Sequence, residues 1–320
     1  MIDRNSLRIS WPLIFASTVL VGPVTHAQLF ENLRALNRNI PVGSGAVESD
    51  PNTGEPRRAD GPRWICAADF DADGKADFAT CHLNGEITTA YGRGDGTFES
   101  PVIIQSGTAD LRAIAAGDFN HDGRADLAAA APYDGKVTVR LSQPGRTFAP
   151  PLLLESFKHA RNLTTADFDG DGHLDIAAAG PDERIPGYDP DIDPNDPNQP
   201  RTGLVHFRGN GDGSFVRLGN VPEIGRPHQS EGRLKPVYSL APFRRPGWSA
   251  DWLAVTSETS SVAWLLGVGA SGLLEIKQTL NWWGPTGSTS SYNVDSLTVG
   301  TVTRPAATRE PDLVAVMQQA

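Results

Sequence analysis

Nine residues, Asp118-Phe119-Asn120-His121-Asp122-Gly123-Arg124-Ala125-Asp126, have two close copies elsewhere in this 320-residue chain. The copies are Asp69-Phe70-Asp71-Ala72-Asp73-Gly74-Lys75-Ala76-Asp77 and Asp167-Phe168-Asp169-Gly170-Asp171-Gly172-His173-Leu174-Asp175. The first aspartates are spaced 49 residues apart, at 69, 118 and 167. A fixed period of that size means an array of supersecondary units that bury their apolar faces by stacking. This limits the architecture before any local pattern is read.

Within each copy, oxygen-bearing side chains fall at positions 1, 3, 5 and 9, with glycine at position 6. Oxygens at 1, 3 and 5, a turn-making glycine at 6 and a backbone carbonyl at 7 are the solution that calcium-binding loops use, because Ca²⁺ is hard and takes six to eight oxygens. The predicted ligand sets are Asp69, Asp71, Asp73 and Asp77, then Asp118, Asn120, Asp122 and Asp126, then Asp167, Asp169, Asp171 and Asp175. The position-7 carbonyls come from Lys75, Arg124 and His173. An EF-hand needs Glu at position 12, and Thr80, Ala129 and Ala178 stand there instead. The alternative is a set of Asp-Gly turns whose carboxylates face water. Three copies at one spacing predict about three structural Ca²⁺ ions.

After each loop comes a small apolar run: Phe78-Ala79-Thr80, Leu127-Ala128-Ala129-Ala130 and Ile176-Ala177-Ala178-Ala179. Another precedes it, as in Ala113-Ile114-Ala115-Ala116. The loop is therefore predicted to join two strands of a hairpin. Asp-Phe-Asn-His-Asp-Gly-Arg-Ala-Asp-Leu-Ala, at 118–128, resembles the FG-GAP/VCBS repeat of integrin α-subunit propellers and of many secreted bacterial proteins. The resemblance is tight over 61–216 and weak beyond. It implies an all-β fold, a β-propeller of four-stranded blades with Ca²⁺ between the first two strands of a blade. Its blades are expected at about 61–108, 109–159, 160–232 and 233–292, with a partial fifth at 293–320.

The start of the chain, with Arg4 and Arg8, an apolar run from Ile9 to Val24 and then Thr25-His26-Ala27, reads as a secretory signal peptide cleaved before Gln28. It is too short for a lasting membrane span, and no other apolar run approaches 18 residues. The expected location is extracytoplasmic: secreted, periplasmic or on the cell surface. Formal net charge is −10. The three loops hold 11 carboxylates, so the acid surplus is about the size of the predicted ligand set. A net anion is a poor partner for nucleic acid.

Residues 28–60 read as a linker, or as a strand that closes the ring onto the last blade. Cys66 and Cys81 flank the first loop, so an oxidising compartment predicts a disulfide, with two buried thiols as the alternative. Arg93-Gly94-Asp95 has an adhesion-like sequence. Gly209-Asn210-Gly211-Asp212-Gly213 occupies the matching place in the third repeat, so turn chemistry explains it. Pro181–Arg201 is a Pro- and Asp-rich insertion, read as a solvated loop or alternatively a lid or extra metal site. In the fourth repeat Arg244-Arg245-Pro246-Gly247 replaces the ligands, so no Ca²⁺ is expected there. Four and a half units leave two choices, a five-bladed ring closed by 28–60 or a shortened seven-bladed one.

An arginine lies six residues before each first aspartate: Arg63, Arg112 and Arg161. In a propeller this is the mouth opposite the metal loops, where guanidinium groups hold carboxylate or sulfate by paired hydrogen bonds. They serve equally well as packing groups at blade junctions. His228, Trp282 and Trp283 lie in neighbouring connections and suit an anionic or carbohydrate ligand. The expected function is binding or adhesion, with a protein or glycan partner. The alternatives are a lectin, or a polysaccharide-lyase-like enzyme in which His159, His228 or Tyr292 moves protons. Nucleophile-elbow, zinc-protease and phosphate-loop motifs are missing from the sequence.

Overall fold

The alanine runs that follow the aspartate loops become strands buried on both faces. The computed structural model describes residues 42–44, 47–49, 56–58, 61–156, 160–180, 203–221, 237–244, 247–257, 262–281, 292–300 and 312–319. The expected signal peptide, the insertion at 181–201 and the residues His159, His228, Trp282 and Trp283 lie outside them.

Strands β1 (Val47–Ser49) and β2 (Pro56–Arg58) pair with each other. The stretch before them docks on the first blade: the Gly43 N–H donates to Thr88 Oγ1 and the Ser44 N–H to Glu86 Oε2, each at 3.0 Å. That blade is β3 (Pro62–Ala68), β4 (Asp77–His82), β5 (Glu86–Ala90) and β6 (Val102–Gln105). Its strands pair antiparallel in chain order. The second blade is β7 (Ala113–Gly117), β8 (Asp126–Ala131), β9 (Lys136–Arg140) and β12 (Leu152–Glu155). A small hairpin, β10 (Ser142–Gln143) and β11 (Thr147–Phe148), comes before β12. The third is β13 (Asn162–Ala166), β14 (Asp175–Ala179), β15 (Leu204–Gly209) and β16 (Phe215–Asn220). The fourth is β17 (Val237–Phe243), β18 (Trp252–Ser257), β19 (Val262–Val268) and β20 (Leu274–Asn281). A final hairpin joins β21 (Tyr292–Gly300) to β22 (Asp312–Gln319).

The first strands lie side by side in sequence, β3 against β7, β7 against β13, β13 against β17 and β17 against β21. The sheets are therefore arrayed around a common axis and stack face to face. Side chains alternate along a strand, so one strand feeds two cores. Ile176 and Ala178 pack with Ala128, Ala130 and Val139 between the second and third blades. Ala177 and Ala179 pack with Leu253 and Val255 between the third and fourth. Burial on both faces is why these strands read as continuous apolar runs instead of an alternation. Alanine at this place lets neighbouring sheets approach closely near the axis.

The expected disulfide is not formed. Cys66 and Cys81 are free, buried thiols in the core between the first two blades. Across β3 and β4, Cys66 faces Ala79 and Cys81 faces Trp64, so the cysteines are diagonal neighbours on one face. Diagonal Cα atoms stand about 7–8 Å apart, beyond the usual disulfide span. Burial pushes the Cys81 thiol up to about 12 and raises that of Cys66 further, which makes neither a nucleophile.

Candidate functional site

Each nine-residue motif forms the loop between the first two strands of its blade: loop 1 joins β3 to β4, loop 2 joins β7 to β8 and loop 3 joins β13 to β14. Two positions need a left-handed backbone. Position 6 is Gly74, Gly123 and Gly172, with φ of 79°, 83° and 91°. Position 4 is Ala72, His121 and Gly170, at 60°, 58° and 79°. Such φ values favour glycine on steric grounds. Side-chain oxygens of the loop compensate by capping its backbone.

The capping repeats. In loop 1, Asp69 accepts from the N–H of Asp73 (3.2 Å) and of Gly74 (2.8 Å), and Asp73 accepts from the Lys75 N–H at 2.9 Å. In loop 2, Asp118 accepts from Asp122 (3.1 Å) and Gly123 (2.9 Å), Asn120 from Asp122 (3.1 Å), and Asp122 from Arg124 (3.0 Å). In loop 3, Asp167 accepts from Gly170 (2.7 Å) and Gly172 (3.3 Å), Asp169 from Asp171 (3.2 Å), and Asp171 from His173 (2.8 Å). The side-chain oxygens at positions 1, 3 and 5 thus cap the backbone of their own loop. Carboxylate oxygens of Asp69, Asp71 and Asp77 lie within 4.8 Å of one another, as do those of Asp167, Asp169 and Asp171. Gathered hard oxygens at this density are the donor set that a Ca²⁺-sized cation requires. In loop 2, Asn120 supplies an amide oxygen at position 3.

The ninth aspartate has a role beyond the ligand assigned from sequence. Asp77, Asp126 and Asp175 are almost wholly buried, and each clasps its loop to the end of the third strand. Asp77 accepts from the Phe70 N–H (2.8 Å) and the Gly92 N–H (2.7 Å). Asp126 accepts from Phe119 (2.9 Å) and Ser142 (2.7 Å), and Asp175 from Phe168 (3.1 Å) and Gly209 (2.9 Å). A Cβ on Gly92 or Gly209 would fall 2.1 Å from the Ala76 carbonyl oxygen or 2.3 Å from that of Leu174. Glycine there lets the third strand reach the clasp. Asp175 also meets His206 Nε2 at 3.1 Å. Burial pushes Asp77 and Asp126 up to about 6 against the opposing pull of their N–H donors, and burial with the charge of Asp175 raises Asp169. A nearby cation favours the ionised form of each.

Sequence reasoning missed the groups that reach these loops from neighbouring blades. Arg146, in the β10–β11 turn of the second blade, donates through Nε to Asp71 Oδ2 at 2.8 Å and pairs with Glu99. Its guanidinium lies 4.6 Å from the centre of the Tyr91 ring. Arg244, in the fourth blade, holds both oxygens of Asp251 (2.7 and 3.1 Å) and reaches Asp167 Oδ2 at 3.2 Å. His121 and His173 meet at 2.7 Å, linking loops 2 and 3. Nothing near Arg146 in the chain announces its partner. Arg244 had one signal: Asp251 is kept where the other acids are lost, and a lone retained acid calls for a positive neighbour.

The predicted arginines lie at the other end of these strands. Arg63, Arg112 and Arg161 stand at the starts of the first three inner strands, at the ends away from the loops. Arg63 and Arg161 are exposed. Arg112 is half-buried, paired with Asp110 at 2.9 Å and set 5.8 Å from the Tyr133 ring centre, which is a packing arrangement.

Four-stranded antiparallel sheets stacked around an axis make the chain a β-propeller, all-β in class. The loops define its kind: FG-GAP-like repeats are present, matching that family's profile at residues 69–129 and 118–178. No curated protein sequence matches the chain. Among solved structures it is similar to the Dos1 propeller (12% identity, TM-score 0.47, covering 80% of this chain and 54% of that one). It is also similar to Saccharomyces cerevisiae Sqt1 (10% identity, TM-score 0.44, covering 73% and 54%). A third is BBS1N in complex with ARL6DN (13% identity, TM-score 0.46, covering 87% and 78%). The chain thus spans about half the length of the first two. Among the described residues, no helix is long and apolar enough to cross a membrane.

Proposed function

We propose that this chain is a calcium-stabilised β-propeller serving as a binding scaffold. The observation that carries the reading is the cluster of carboxylate oxygens in loops 1 and 3, set in a loop whose backbone capping recurs in loop 2. Bound Ca²⁺ would supply the positive charge that buried and clustered acids lack. Asp69, Asp71, Asp73 and Asp77 would hold it in loop 1, with Asp118, Asn120, Asp122 and Asp126 in loop 2 and Asp167, Asp169, Asp171 and Asp175 in loop 3. The carbonyls of Lys75, Arg124 and His173 complete the proposed sets. The secretory reading of residues 1–27 belongs to the same proposal, since extracellular modules work with affinities of about 10⁻⁴–10⁻³ M.

The ligand face of the proposal is the one opposite the loops, where exposed Arg63 and Arg161 offer guanidinium groups to an acidic protein or glycan. Calcium is tested by counting bound ions and melting the full chain with Ca²⁺ and with chelator. Three ions and a large loss of stability on chelation are expected; no bound ion would overturn the reading. The ligand face is tested with poly-glutamate and polygalacturonate as probes. Binding should fall for R63E/R161E at an unchanged melting temperature, and equal binding by the variant would remove the assignment.

A further inference from the structure

Loops 1 and 3 each carry four acids, and loop 2 carries three because Asn120 replaces an aspartate. The two loops with the extra acid are the ones met by an arginine from the next blade. Arg146 reaches Asp71, the counterpart of Asn120, and Arg244 reaches Asp167. Where the third blade faces loop 2, its turn presents Gly211-Asp212-Gly213 instead, and the Gly213 N–H donates to the Phe119 carbonyl at 2.9 Å. Loop 2 carries an ion pair of its own, Arg124 with Asp122.

We propose that Arg146 and Arg244 are built-in counter-ions that hold loops 1 and 3 when no metal is bound and weaken the binding of Ca²⁺ there. The inference rests on the reading that these loops bind Ca²⁺. Its physical basis is charge. Carboxylates crowded within 4.8 Å repel one another, and a guanidinium against one of them relieves that repulsion. The same guanidinium repels a divalent cation entering the same carboxylates. Each arginine also has a second acid outside the loop, Glu99 for Arg146 and Asp251 for Arg244. When a cation takes the loop acid, the arginine keeps its place at the junction on the other. Metal occupancy is thereby coupled to contacts between blades, and the coupling is reciprocal. At the fourth blade, whose own loop has lost its ligands, Arg244 is the resident cation.

The test uses the full chain with Ca²⁺ alone as ligand, titrated by calorimetry, together with melting in chelator and in saturating Ca²⁺. R146Q and R244Q should each tighten one site about tenfold. Each should lower the melting temperature in chelator more than in Ca²⁺. R146K, which keeps the charge, should retain the affinity of the unsubstituted protein even if packing on Tyr91 suffers. D71N/R146Q, which copies the arrangement of loop 2, should return both affinity and chelated stability toward the starting values. Unchanged or weakened affinity in R146Q and R244Q, or equal melting losses with and without Ca²⁺, would overturn the inference while leaving a calcium-binding propeller intact. An unsubstituted protein that binds no Ca²⁺ would overturn both.

Discussion

The third and fourth blades share one core yet close their first turns differently. In the third, Asp167, Asp169 and Asp171 fold inward around an acidic centre, and Asp175 clasps the Phe168 and Gly209 N–H groups of its own blade. In the fourth, Arg244 sits where acids stood, and Asp251 turns to the neighbour, accepting from the Asp167 N–H at 3.1 Å. The Asp251 N–H donates back to the Asp167 carbonyl at 2.7 Å. Both solutions end a hairpin. Arg244 pairs with Asp251 inside the fourth blade and also reaches Asp167 of the third, so one side chain serves both turns. The fold requires a closed turn at this place and accepts either an acidic loop or a basic side chain there.

Loss of the clasp should separate the two kinds of turn most strongly. Asp126→Ala leaves two buried N–H donors without acceptors, each worth about 1–3 kcal/mol. We expect a loss of about 3 kcal/mol or more in urea denaturation, with or without Ca²⁺. Chelation comes next. At a hundredfold excess over its dissociation constant, one bound ion stabilises by about 2.7 kcal/mol. Amide exchange should therefore accelerate on chelation in loops 1 to 3 and stay constant at Arg244–Asp251. Gly209→Ala should cost about 1–3 kcal/mol through its collision with the Leu174 carbonyl, whereas the non-glycine at the matching place in the second blade, Ser142, already fits. The smallest effect is expected for Asn120→Asp. It adds a fourth acid to loop 2, so chelated stability should fall by about 0.5 kcal/mol and Ca²⁺ should restore it.

Much of the fold was legible because it repeats. The period of 49 residues, the hairpin on either side of each loop and the loss of ligands in the fourth repeat can all be read from residue order. The acidic turn was legible for the same reason, but which acids meet was not: loop 1 gathers Asp69, Asp71 and Asp77, whereas loop 3, with the same spacing, gathers Asp167, Asp169 and Asp171. The cysteines were misread because spacing within a hairpin does not give register, and a diagonal offset separates two residues that look opposed. The clasping role of Asp77, Asp126 and Asp175 was hidden because their partners Gly92, Ser142 and Gly209 lie 15, 16 and 34 residues away. The arginine row was legible as a row, but Arg112 proved to be engaged with Asp110.

Residue order settles what is local and repeated: the strand–loop–strand unit, its acidic turn with a left-handed glycine, and the alanine-rich strands that must be buried on both faces. Tertiary structure alone decided what crosses from blade to blade. Which acid meets Arg146, why Asp167 and Asp251 share Arg244, and that His121 meets His173 depend on how one sheet is rotated against the next. That rotation is set by the summed packing of two facing layers, a quantity no short stretch of chain contains.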